Sequence, residues 1–148
     1  MNYAVAQING STYLYLRTLS EPKDNELEIV LEEAGSGPKD GISAIRGPFS
    51  ETRPIVHGPN DRVFKVSWKS YVAYSIRNES YVVKDDYEQF EGGLFVIFSR
   101  SRYLDFVAKS TFASDDYPGP IKHWGIFCLN HIIDVVSVHA PEIEIVRA

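Results

Sequence analysis

His123, His131 and His139 recur at intervals of eight residues in a chain of 148. Imidazoles in a strand-rich segment could ligate a metal, but parity decides whether they meet. If Asn130-His131 is a two-residue turn, His123 lies opposite Val138 and His139 is on the other face. A three-residue loop would set His123 directly against His139, so the metal reading hangs on one residue of register. A third and fourth ligand are also needed, and Cys128 would be far along the strand. No metal site is therefore assigned, with His123 and His139 as weak candidates, and no cofactor is expected. Asp134 interrupts the apolar run Ile132-Ile133-Asp134-Val135-Val136. It is expected on the solvent side, opposite Phe127. A buried Asp134 would need a partner and would anchor an arginine or a histidine.

Two polar constellations are candidates for binding. In Tyr74-Ser75-Ile76-Arg77-Asn78-Glu79-Ser80-Tyr81, Arg77 and Glu79 share a strand face. In Ser99-Arg100-Ser101-Arg102-Tyr103-Leu104-Asp105-Phe106, Arg100 and Arg102 stand at a helix N-terminus, where cations oppose the helix dipole. A carboxylate such as Glu79, a bound anion or an acidic partner surface would offset them. A Ser-His-Asp hydrolase can be assembled on paper, but no nucleophile elbow is present. Phosphate-loop, dinucleotide and Cys-x-x-Cys motifs are also absent; Gly35–Gly41 only echoes a phosphate loop.

These residues need a scaffold, and the clearest sign of one is an alternation. Phe64, Val66, Trp68, Val72, Tyr74 and Ile76 share a parity, while Lys65, Ser67, Lys69, Tyr71, Ser75 and Arg77 take the other. Side chains on a strand alternate between faces, so the run has one wet and one dry side. A strand over 62–77 is unusually long and is expected to bend at Lys69-Ser70-Tyr71. Strands are also expected at 12–19, 26–33, 94–98, 121–129, 132–139 and 142–146. The 26–33 strand offers an acidic face with Glu26, Glu28, Glu32 and, at its end, Glu33. Ser99 or Ser101 can cap a helix over 100–111, and Asp85 and Glu88 suggest a short helix at about 86–91 stopped by Gly92. Residues 35–61 are punctuated by Gly and Pro and read as a long loop with room for short strands at 42–45 and 54–57. The expectation is one α+β domain over 1–148, mainly antiparallel, built on a strongly curved sheet or partly open barrel with one main helix.

Composition narrows the classes of partner. Hydrophobic residues make up 44% and charged residues 24%, ordinary for a globular chain. A net charge of −5 argues against a general nucleic-acid binder. No apolar run approaches the ~20 residues that span a bilayer, and the N-terminus lacks signal-peptide features. Cys128, the single cysteine, sits in an apolar run and reads as a buried hydrophobe. A cytoplasmic location is expected.

At Tyr74–Tyr81, Ser99–Ala113 and Pro120–Ser137 the chain resembles a group of small bacterial proteins of unknown function. More loosely, its β-rich acidic make-up is similar to that of immunity proteins of bacterial toxin systems, which implies a protein-binding role. The leading expectation is thus a non-enzymatic bacterial binding protein whose sheet face and loops hold a protein partner, such as a toxin. The runner-up is a small-ligand pocket in a curved sheet, lined by Phe64, Trp68, Tyr74, Phe95 and Trp124, with Arg77 or Arg100 holding an anion. A hydrolase is third.

Overall fold

The computed structural model describes residues 3–36, 55–56 and 61–147. The chain forms two antiparallel sheets packed over one core. The first is ordered β1 (Tyr13–Ser20), β2 (Leu27–Ser36), β4 (Val63–Trp68), β10 (Glu142–Arg147), with β3 (Ile55–Val56) paired to the end of β2. The second is ordered β5 (Ala73–Asn78), β9 (His131–Ser137), β8 (Lys122–Phe127), β7 (Phe95–Arg100), β6 (Gln89–Gly92). Neither sheet closes or curls strongly, so the expected barrel is replaced by two open layers. The physical reason lies at residues 69–72. The long alternating run does not bend within one sheet there; it leaves β4 and re-enters as β5 in the other layer. Val72 N–H donates to the Val136 carbonyl at 2.8 Å and starts that new pairing.

Parity survives the crossing. Phe64, Val66 and Trp68 point inward from the first sheet, and Tyr74 packs on the same core from the second. Leu14, Leu16, Leu27, Ile29 and Leu31 join from β1 and β2, and Phe95, Trp124, Ile126, Ile133 and Val135 face them. Burying such side chains on both layers is the main driving force for the fold, at about 25 cal/mol per Å² of apolar surface. Helix α1 (Tyr3–Asn9), which lies outside the expected elements, closes one end of the core through Ile8. Asn9 Oδ1 accepts from Phe95 N–H at 2.8 Å, and Arg62 binds both Gln7 and Glu33.

Three further expectations change. The 86–91 helix is a turn followed by strand β6, because Phe90 pairs across to Phe98 on β7 and their rings meet edge to face. Gly92 does take a positive φ of 117°, but in the β6–β7 turn, where a Cβ would lie 2.3 Å from the Phe95 carbonyl oxygen. The acidic face of β2 is partly neutralised: Glu32 pairs with Arg17 at 2.8 Å and Glu33 with Arg62 at 2.7 Å. The short strand expected at 42–45 and the Gly35–Gly41 loop beyond Ser36 lie outside the described residues.

The outer faces of the two sheets differ. The first carries cross-strand ion pairs, Lys65 to Glu144 at 3.5 Å among them. On the second lies helix α2 (Arg102–Ser110), packed against β8 and β9. No helix among the described residues is long and apolar enough to cross a membrane.

Candidate functional site

The site is built on the outer face of the second sheet, from β5, β9 and β8, under the start of α2. Phe127 pairs with Ile132, so the β8–β9 connection runs through residues 128–131. That register sets His123 opposite Val136 and Asp134 opposite Gly125, neither of the alternatives read from the sequence. His123 and Asp134 become diagonal neighbours on one face, within reach of each other. Asp134 is accordingly buried rather than solvated, and it anchors both a histidine and an arginine.

Its Oδ1 lies 2.8 Å from His123 Nε2, and its Oδ2 accepts from Arg77 at 3.3 Å. His123 Nδ1 lies 2.7 Å from Ser101 Oγ. Ser101 is the N-cap of α2, and its Oγ also accepts from Leu104 N–H at 3.0 Å. Donor and acceptor roles follow from the network. A carboxylate only accepts, so Nε2 carries the proton, Nδ1 accepts from the Ser101 hydroxyl, and the Ser101 oxygen accepts from the helix. A neutral imidazole satisfies every member of this chain. Ser101 and His123 are fully buried; the Phe98 ring stacks on His123 at 4.1 Å and Tyr103 meets it edge-on at 5.5 Å. A Ser-His-Asp relay is thus present, but its serine is sealed beneath the helix that it caps. Its evident task is to fasten α2 to the sheet.

Gly125 makes the stacking possible. A Cβ there would stand 2.7 Å from Phe98 Cε2 and 3.1 Å from Val96 Cγ2. Only glycine lets the Phe98 ring lie flat over the strand.

Beside this relay runs a groove in two lobes. One, of about 420 Å³, is floored by Phe90, Phe98, Phe127 and Ile132; the other, of about 320 Å³, is lined by Ser75, Arg102, Tyr103 and Asp134. Arg77, Val83, Asp85 and Glu88 line both, so the 82–88 segment forms the common wall. Arg102 pairs with Asp85 at 2.5 Å, which is the carboxylate that the sequence reading sought in Glu79. Glu79 itself has left the strand and is exposed in a 3-10 turn capped by Asn78. Arg100 and Arg102 stand over the Tyr87 ring at 4.7 and 4.8 Å, and the Tyr87 hydroxyl donates to Asp105. Its bond to Asp105 raises the Tyr87 hydroxyl above the usual phenol range, and the guanidinium of Arg102 lowers Asp85.

The remaining candidates fall elsewhere. Trp68 and Trp124 are 2% and 5% exposed and meet edge to face at 6.0 Å in the core, with Phe64 and Phe95 around them. The proposed aromatic pocket over the 64–76 face is therefore occupied by the opposite sheet. Tyr74 and Tyr71 both donate to Glu21, at 2.9 and 2.8 Å, and that bond raises the Tyr71 hydroxyl to about 12. His139 is exposed beyond the end of β9 and does not join His123, whose ring nitrogens are both engaged. No group of three metal-ligating side chains occurs among the described residues. Cys128 is buried as expected, and burial pushes its thiol up to about 12. Ser101 and Tyr103 lie in the second polar segment without being among its expected binding groups, and Tyr87 and Val83 lie outside both segments. Only Ser101 had a usable signal, its cap position three residues before Leu104.

No protein-family model, curated protein or solved structure matches the chain.

Proposed function

We propose that the chain is a non-enzymatic binding protein that holds a protein partner on the α2 side of its second sheet. The observation that carries this is an aromatic group left in solvent: Phe106, Phe112 and Tyr117 are 61%, 86% and 69% exposed. Phe112 and Tyr117 stack in parallel at 6.3 Å. They also border a cleft of about 280 Å³ with Tyr71, Val72 and Pro118. Exposed, preordered aromatic rings beside a cleft have the make-up of interface anchors, and charged residues such as Lys109, Asp115 and Asp116 supply a polar rim. The sealed serine of the relay supports binding over hydrolysis. In its sharpest form the partner is a bacterial toxin neutralised in the cytoplasm, a reading that rests on the acidic, β-rich make-up of the chain.

The test is protection. Genes neighbouring its own are screened for a product that is toxic when expressed alone; the chain is co-expressed with any such product, and growth and complex affinity are measured for the parent and for F106D/F112D. Absence of any such product would remove the toxin as partner. Both side chains are exposed, so the double variant keeps its Tm. Its affinity is expected to fall by at least about a hundredfold, the loss of two anchors. Undiminished protection by the double variant would remove this face from the interaction.

A further inference from the structure

The two-lobed groove faces a different kind of ligand. We propose that it binds a small organic cation, an ammonium carried on an aryl or short alkyl body. Lobes of about 420 and 320 Å³ fall in the size range of small-molecule sites. The larger floor, formed by Phe90, Phe98, Phe127 and Ile132, is apolar. Phe90 meets both Phe98 and Phe127 edge to face, at 5.3 and 5.5 Å, so the floor is held in shape without a ligand. It suits a flat or extended hydrocarbon, and its ring faces also attract a cation.

Charge decides the sign of the head group. Arg102 is matched by Asp85, and Arg77 by the buried Asp134. The remaining charged lining comprises one cation, Lys84, and two carboxylates, Asp86 and Glu88, so the balance is one negative charge. A carboxylate ligand would approach two guanidiniums already matched and carboxylates without a full set of cations. An ammonium meets the surplus directly. The chain's net charge of −5 adds attraction at longer range.

The experiment uses the full chain and titrates phenethylammonium, phenethyl alcohol and hydrocinnamate by calorimetry and protein-observed NMR. The three share a phenyl body and differ in charge. Phenethylammonium is expected to bind at least about tenfold more tightly than the other two, with shifts centred on Phe90, Phe127 and Val83. D86N/E88Q, which alters only exposed or half-exposed wall residues, weakens that binding about fivefold, and F90A weakens it as well. F106D/F112D leaves it unchanged, which separates this site from the partner face proposed above. Preference for hydrocinnamate would overturn the cation and return the site to Arg77. Equal binding of all three would leave an apolar crevice without charge selection. Absence of binding up to about 10 mM would remove the site altogether.

Discussion

Asp134 shows how much one side chain can organise. Its two oxygens serve a histidine that holds the cap of α2 and an arginine that borders the groove. Removing it leaves the His123 Nε2–H buried and unpaired, and removing Ser101 loses the cap bond to Leu104 and also leaves His123 Nδ1 without its donor. Asp134→Ala should therefore cost about 3 kcal/mol in urea unfolding and Ser101→Ala about 2 kcal/mol. A Ser101→Ala cost of only about 1 kcal/mol, that of a cap alone, would mean that the bond to His123 adds nothing. The choice facing Asp134 was legible in the sequence: a carboxylate among Ile and Val is either solvated or an anchor. Which of the two holds was not legible. It depends on a connection through residues 128–131, closed by Cys128 N–H on the His131 carbonyl at 2.9 Å, and loop closure of that kind has no clear residue signature. The partners of Arg102 were equally hidden, since Asp85 reaches it across seventeen residues of chain.

Among the elements, helix α2 was readable from its Ser101 cap, from Tyr103, Leu104 and Val107 falling on one helical face, and from Asp105 placed four residues before Lys109. Residues 86–91 carried helix signals that were just as local, yet strand pairing of Phe90 with Phe98 prevailed. Tertiary contact overrides propensity in short segments. Two elements yield measurable expectations. Gly125→Ala forces the Phe98 ring off β8; it should cost about 2 kcal/mol and move the His123 ring resonances, because overpacking propagates through the stack. Helix α1 is tied to β2 through Glu33, whose carboxyl the Arg62 guanidinium holds at about 2. A depressed carboxyl stabilises the fold fully above the ordinary value of 4.5 and progressively less as pH falls toward 2. Glu33→Gln should thus lower stability at pH 7 and flatten its decline between those values. A parallel decline in parent and variant would place the acid sensitivity elsewhere.

At the level of the whole molecule, the alternation over 64–76 announced a dry face but not what would lie against it. A run interrupted at Ser70 is compatible with a bend or with a change of sheet. The outcome was decided by residues far along the chain, where Val136 and Ser137 receive the crossing segment; Ser137 Oγ, 67 positions on, donates to the Ser70 carbonyl at 2.7 Å. With Trp68 on one sheet and Trp124 on the other meeting in a shared core, the two layers should unfold together. Single-tryptophan variants W68F and W124F, each followed by its remaining fluorophore and by far-UV circular dichroism, should show coincident transitions within each variant. Separate transitions for the two probes would mean that each sheet is stable without the other.

The β8–β9 connection also settles the free edge of β1. Asn130 Oδ1 accepts from Leu16 N–H at 3.0 Å and its Nδ2 donates to the Leu16 carbonyl at 3.1 Å, so one side-chain amide stands where another strand would pair. Leu129 N–H adds a bond to the Leu14 carbonyl at 2.8 Å. Deamidation of Asn130 would exchange the donor for a carboxylate facing a carbonyl. The edge would then present an unsatisfied acceptor to the next molecule, and resistance to edge-to-edge pairing would become a property of a single amide.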